Sequence, residues 1–182
     1  HASGEIFTWL NSDDYYLPGA LKAFAQAYCS DRECVAWAGS AVKIDKEGND
    51  TGVIQPSIEG DVNFISDWWI SSRISQPACA FCSMEFNKVK GLNEDLHYAM
   101  DLDLWIKLRE RGEIASIDKN IACARFYPEN KTLGNIEMSD AEIVHICFTH
   151  GQRQAAENRM RLVADRYKKQ CEWKIKNLIN GQ

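Results

Sequence analysis

The 182-residue chain has no apolar stretch near the ~20 residues that span a bilayer, which excludes a membrane-spanning helix. Its start, His1-Ala2-Ser3-Gly4, lacks the basic and then apolar layout of a secretion signal, so export is not indicated. Only 4 prolines, with 45% hydrophobic and 26% charged residues, exclude a disordered tail or a collagen-like rod. Basic charge is not in excess: 21 Lys and Arg face 26 Asp and Glu, a net charge of -5, so nucleic acid is not an expected partner. There is no internal repeat and no low-complexity segment. What remains is a folded chain of ordinary domain size, long enough to bury roughly 70% of its unfolded surface without a disulfide or metal staple.

The first residue is not Met, and Glu5-Ile6-Phe7-Thr8-Trp9-Leu10 enters a strand-like run almost at once, so the chain reads as cut from a longer one. Its seven cysteines, Cys29, Cys34, Cys79, Cys82, Cys123, Cys147 and Cys171, are odd in number and scattered, which fits a reducing, cytoplasmic setting. Cys79-Ala80-Phe81-Cys82 has the spacing of half a zinc site, but no second Cys or His pair completes it, and packing as small apolar groups is the expectation.

Strand and helix patterns alternate, which places the chain in the α/β class. Pro18 to Tyr28 reads as a helix with Leu21, Phe24 and Tyr28 on one face. Val35 to Ile44 reads as a strand that turns at Lys46-Glu47-Gly48-Asn49 and returns through Val53-Ile54 as a hairpin. Val62 to Ile74, with Trp68 and Trp69, reads as helical, and Ala78 to Met84 as a buried strand. Asp101 to Arg111 is a helix stopped by Gly112, and Ala115 to Ile117 and Ala122 to Phe126 are two short strands.

Residues 1–140 form the main body, and 141–182 a C-terminal helical tail. Residues 150 to 182 carry eight Lys or Arg against three Asp or Glu, while the first 149 carry thirteen against twenty-three. Ala156, Met160, Val163, Tyr167, Cys171 and Ile175 recur on one face of this basic, amphipathic tail, and that face needs a partner. The preferred partner is the acidic body of the same chain. The rival is an anionic membrane surface or another chain, which would make the protein membrane-peripheral or a homo-oligomer.

Two acidic clusters carry the chemical signal. In Trp9-Leu10-Asn11-Ser12-Asp13-Asp14 a strand ends in carboxylates just before a helix, at the kind of sheet edge where α/β proteins bind ligands. Adjacent carboxylates repel, and a divalent cation bridging protein and diphosphate relieves that cost. The alternative is that Asp13 or Asp14 caps the following helix or turn. In the second cluster, His97-Tyr98-Ala99-Met100-Asp101-Leu102-Asp103-Leu104-Trp105, helical geometry turns Asp101 and Asp103 about 200° apart, so one faces a site and the other does not. Asp101 shares a face with Trp105 at i+4 and has the placement of a general base beside an aromatic wall, unless it is the helix N-cap and Asp103 a first-turn acid.

Together these motifs resemble family 2 glycosyltransferases of the GT-A fold, a bacterial group with Gly-Glu-Ile-x-x-Trp-Leu-Asn-Ser-Asp-Asp and later Leu-His-Tyr-Ala-Met-Asp-x-Asp-Leu-Trp. Ser75-Gln76-Pro77-Ala78 and Val89-Lys90-Gly91-Leu92 fit between them, and the similarity covers about residues 3 to 132. The resemblance implies a partial GT-A fold, a mixed sheet flanked by helices. It also implies an inverting transferase that moves a sugar from a nucleoside diphosphate sugar to a hydroxyl of a glycan or lipid-linked acceptor. Asp13, supported by Asp14, corresponds to the region that holds Mn²⁺ or Mg²⁺, with Asn11 where many relatives have a first Asp and Ser12 beside it. Asp101 corresponds to the proposed base, with Met100 in place of a preceding acid. Arg125 and Lys131 lie in a late loop and suit diphosphate oxygens. Tyr127 occupies a His position of that loop, so a metal role there does not carry over. Trp9, Gln76, His97, Tyr98 and Trp105 are the expected walls of the sugar or acceptor pocket. The family's nucleotide-recognising N-terminal strands are not expected within this chain, so the chain alone is expected to bind donor weakly and turn over little, and the edge of its leading strand to be covered by the tail, another copy or nothing. The rivals are a non-catalytic assembly module derived from a transferase and a Mg²⁺-dependent phosphohydrolase with a strand-end nucleophile.

Overall fold

The computed structural model describes residues 3–67, 73–131 and 133–180. Its elements in chain order are β1 (Ile6–Phe7), β2 (Tyr15–Tyr16), α1 (Ala20–Ser30), β3 (Ala36–Ile44), β4 (Asp50–Ile54), α2 (Val62–Ser66) and a 3-10 turn at Gln76–Ala78. These are followed by β5 (Cys79–Cys82), α3 (Ser83–Lys88), α4 (Met100–Arg109), β6 (Ile114–Arg125), α5 (Ile136–Thr149) and α6 (Arg153–Asn180). The expected tryptophans Trp68 and Trp69 lie outside the described residues, as does Thr132.

The chain is a mixed α/β structure. Its sheet runs β1-β5-β3-β6-β2, with β4 also on β3. β3 is the hub: it pairs antiparallel with β5 over Ala36–Ala38, antiparallel with β4 over Ala41–Ile44, and parallel with β6 along its length. The period-2 pleat sorts its side chains. Trp37 and Ala41 face one way onto Phe24 of α1 and Ile121 of β6, whereas Ala36 and Ala38 face the other way onto Phe81, Leu104 and Trp105. The two short strands expected at 115–117 and 122–126 are one strand, β6. The polar run Asp118-Lys119-Asn120 between them is solvent-facing strand rather than a break, and shifts of register beside Ser40 absorb it. Gly39 allows this, since a Cβ there would strike Ile121 and sit 2.9 Å from the Lys119 carbonyl oxygen.

Helix α4 is buried on nearly every side, because Leu104, Trp105 and Leu108 pack under the sheet while Leu102 and Ile106 pack against Ile143, Ile146 and Ala156 of the last two helices. The strand expected through Met84 stops at Cys82, where the chain turns into α3. The tail is two helices rather than one. They meet at Gly151, whose φ of 71° is one that few side chains tolerate. Docking on the body holds for the start of α6, where Ala155 and Ala156 are buried with Leu102 and Ile106 of α4, while Arg159 and Arg166 reach the buried Asp140 of the neighbouring tail helix α5 at 2.6 and 2.5 Å. The expected apolar face is not covered along its length, since Met160, Tyr167, Cys171 and Ile175 are exposed. All seven cysteines are free thiols, and Cys34, Cys79, Cys123 and Cys147 are buried. Among the described residues no helix is long and apolar enough to cross a membrane.

Candidate functional site

The sheet and α4 converge on a cavity of about 350 Å³ lined by residues of both acidic clusters, including Trp9, Asn11, Asp13, Asp14, His97, Tyr98 and Asp101. The strand end is built from below. Trp9 stacks on Phe81 at 4.8 Å, and Phe81 stacks in turn on Trp105 at 5.0 Å. The Gln76 amide donates to the Trp9 carbonyl at 2.8 Å, and its side-chain oxygen lies 3.4 Å from the Asn11 amide nitrogen. Gln76 therefore fixes the strand end as well as lining the cavity.

The two adjacent acids differ in what they do. Asp14 accepts the backbone N–H of Arg125 at 2.9 Å on one oxygen and the Asn11 amide at 3.0 Å on the other. Burial nevertheless leaves its pKa above the usual carboxylate value, with the neighbouring Asp13 adding to the rise and the two hydrogen bonds opposing it. The Asp13 carboxylate has no hydrogen-bond or ion-pair partner among the described residues and lines the cavity. Neither acid caps α1, whose N-cap is Gly19. Ser12 is exposed and does not line the cavity.

Asp101 lines the same cavity as Asp13, from the first turn of α4. Ala99, not Asp101, is the N-cap. Burial pushes the Asp101 carboxyl up to about 6, against the N–H groups of Leu102 and Asp101 itself, which favour its charged form. Asp103 points away, as the helical angle requires. It is held by His150 at 2.8 Å and Lys107 at 2.6 Å, and although burial raises its pKa these partners bring it below the usual value. Trp105 is fully buried beneath the sheet and does not line the cavity, which corrects its expected role as a pocket wall: the apolar sheet face claims the indole.

The cations also separate. The Arg125 guanidinium donates to the carbonyls of Asp13 at 3.3 Å, Asp45 at 2.8 Å and Lys46 at 2.9 Å, so it ties the β3–β4 turn to the acidic loop. The Lys131 ammonium lies over the Tyr98 ring at 5.7 Å and faces the cavity.

One residue that the sequence reading missed organises the loop before α4. Glu142 of α5 accepts the backbone N–H groups of His97 at 2.8 Å, Tyr98 at 2.6 Å and Ala99 at 3.0 Å. Burial works against its charge, but these three donors prevail and hold its carboxyl below the usual value. Nothing local marks it, because Ala141-Glu142-Ile143 reads as an ordinary acid on a helix surface.

No protein-family profile matches this chain, and no curated protein matches it. The assignment of chemistry therefore rests on the cavity. Among the described residues no three His, Cys, Asp or Glu side chains gather as a metal cage. The donor set does fit the other common arrangement for a hard cation, in which one or two carboxylates share the ion with substrate phosphates and water. Asp13 is free to serve in this way, Asp14 lines the same cavity beside it in sequence, and Lys131 adds a positive charge to that cavity.

Proposed function

We propose that the chain is the metal-site and acceptor-side part of an inverting glycosyltransferase of GT-A type, acting on a nucleoside diphosphate sugar and an acceptor hydroxyl. The observation that carries this reading is that Asp13, with an unengaged carboxylate, and Asp101, with a raised pKa, line one cavity. The mixed sheet ending in an acidic loop agrees with it.

In this reading Asp101 removes the acceptor hydroxyl's proton as that oxygen bonds to the anomeric carbon from the face opposite the leaving group. The bond from the anomeric carbon to the diphosphate oxygen breaks, and its electron pair leaves with the diphosphate. A Mn²⁺ or Mg²⁺ ion held by Asp13 would supply neutralisation of that departing charge. Lys131 adds to it, and Trp9 and Tyr98 give apolar surface against a sugar ring. A base at about 6 is ionised at neutral pH yet basic enough to accept a proton in the transition state.

Titrating Mn²⁺ into the protein with and without nucleoside diphosphates tests the reading. Metal-dependent nucleotide binding that disappears in Asp13→Ala supports it. No metal-dependent binding, even in a longer protein that carries the nucleotide-recognising strands, would turn the reading toward a non-catalytic assembly module.

A further inference from the structure

Every residue of α6 from Tyr167 to Leu178 is exposed, although Leu162, Val163 and Arg166 just before them are partly covered. One tie remains, the hydrogen bond from the Tyr167 hydroxyl to Glu137 of α5. A free helical run of about three turns is marginal in water, so this end of the helix lacks a supporting surface. Its side chains are sorted for one. Met160, Ala164, Tyr167, Cys171, Ile175 and Leu178 recur every three or four residues as one exposed stripe, with Ile175 at 55% and Leu178 at 74%. Met160 is 43% exposed beside the partly covered Leu162 and Val163, so the stripe turns away from the body even where the helix is docked. Lys168 and Lys174 border it on either side, and residues 167–178 carry four Lys against one Glu. None of those lysines has an ion-pair partner among the described residues. Trp173 is also exposed, but it stands on the opposite side of the helix from Cys171 and is no part of the stripe.

We propose that this stripe binds the surface of an anionic lipid bilayer, with the helix lying along the headgroup region. The proposal is separate from the transferase reading and holds whatever reaction the cavity performs. Charge decides the occupant. Anionic headgroups attract the lysines, while the stripe sinks to the acyl boundary and the stems of Lys168 and Lys174 reach back to the phosphates. The helix is not apolar enough to cross the membrane, so it lies on the surface. The first 149 residues carry thirteen Lys or Arg against twenty-three Asp or Glu, so an anionic surface repels the body and draws the tail. A second copy is the competing occupant, because Met160, Ala164, Tyr167, Cys171, Lys174 and Leu178 also follow the alternating four-three spacing of a coiled-coil seam. That pairing would put Lys174 into the seam and Arg161 and Lys168 along its border. Antiparallel helices set these cations against each other, and parallel helices offer them Val163 and Gln170 rather than an acid.

The test is flotation of the full chain with vesicles of phosphatidylcholine and phosphatidylglycerol in equal parts, against vesicles of phosphatidylcholine alone. The mixed vesicles should bind at least tenfold more of the chain, and about 0.5 M NaCl should lower that binding severalfold. Ile175→Gln with Leu178→Gln, and Lys168→Gln with Lys174→Gln, should each cut it at least fivefold, whereas Trp173→Gln should leave it within twofold. All five positions are exposed, and circular dichroism checks that each variant folds. Equal binding to both vesicle types, no binding to either, binding that neither double variant lowers, or a loss in Trp173→Gln as large as theirs overturns the proposal. So does a dimer in sedimentation velocity that Ile175→Gln with Leu178→Gln dissociates, since a second copy then fills the stripe.

Discussion

The backbone N–H of Tyr98 donates to the Glu142 carboxylate across 2.6 Å, joining the loop that carries the cavity's aromatic wall to a helix more than forty residues later. His97 and Ala99 donate to the same carboxylate, so the polypeptide enters α4 in one fixed direction and Asp101 is aimed at the cavity. The N-terminus of α4 also presents a positive dipole end, which a nearby carboxylate favours.

Glu142→Ala should therefore destabilise the protein by about 1–3 kcal/mol, since three backbone donors lose their acceptor. Because the Glu142 carboxyl is held below its usual value in the folded state, its contribution is present above the unfolded value and fades as pH falls through the folded one. Urea midpoints of wild type and Glu142→Ala at pH 7 and pH 3 should differ more at the higher pH. A gap that is constant with pH would show that charge plays no part.

Asp101 has the opposite sign. Its folded value of about 6 lies above the unfolded one, so folding is favoured while it is protonated, and stability declines as pH rises between the two values. Asp101→Asn removes that penalty and should stabilise the protein at pH 8, by up to about 3 kcal/mol, and by almost nothing at pH 3. On the proposed transferase reading the same change should remove transfer in a longer, active protein, and the wild-type rate should rise through about pH 6 as Asp101 ionises. Thermal melts across pH and a pH–rate profile check the two halves separately.

Asp13 and Asp14 should part company on mutation. Asp14→Ala strands the Arg125 N–H and the Asn11 amide, and should cost about 1–2 kcal/mol of stability. Asp13→Ala breaks no side-chain hydrogen bond or ion pair among the described residues and should leave the unfolding free energy within about 0.5 kcal/mol of wild type, while on the transferase proposal it abolishes Mn²⁺-dependent diphosphate binding in the longer protein. Calorimetric titration beside denaturation reads both.

Asp140 is the anchor of the last helix. It is 3% exposed and holds Arg159 and Arg166, so Asp140→Ala should cost about 2–3 kcal/mol by removing the buried carboxylate that both cations share. Hydrogen exchange should quicken in α6 before it does in β3.

Much of the sheet could be read from local pattern. The hairpin was plain because Lys46-Glu47-Gly48-Asn49 interrupts two alternating runs, and Gly48 does take a φ of 94°. The acidic clusters were equally plain, since strand-end and helix-start carboxylates carry their geometry in their spacing. Misreadings arose where distant contacts decided the outcome. Trp105 is near Asp101 on a helical wheel, yet Phe81 draws it under the sheet. The Asp118-Lys119-Asn120 run looks like a loop until β3 lies beside it. Glu142 acquires its role only when α5 docks, which no nearby residue announces.

The helical hairpin of α5 and α6 follows the sheet in the chain, and it supplies Ile136, Ile143 and Leu162 to a cavity of about 520 Å³ that Asp101 also lines, but nothing to the cavity of about 350 Å³ that Asp13 lines. Such a layout works as an interchangeable cassette. Exchange of that hairpin, with the Glu142 carboxylate retained, would reshape the cavity beside Asp101 while the acidic strand end stays untouched.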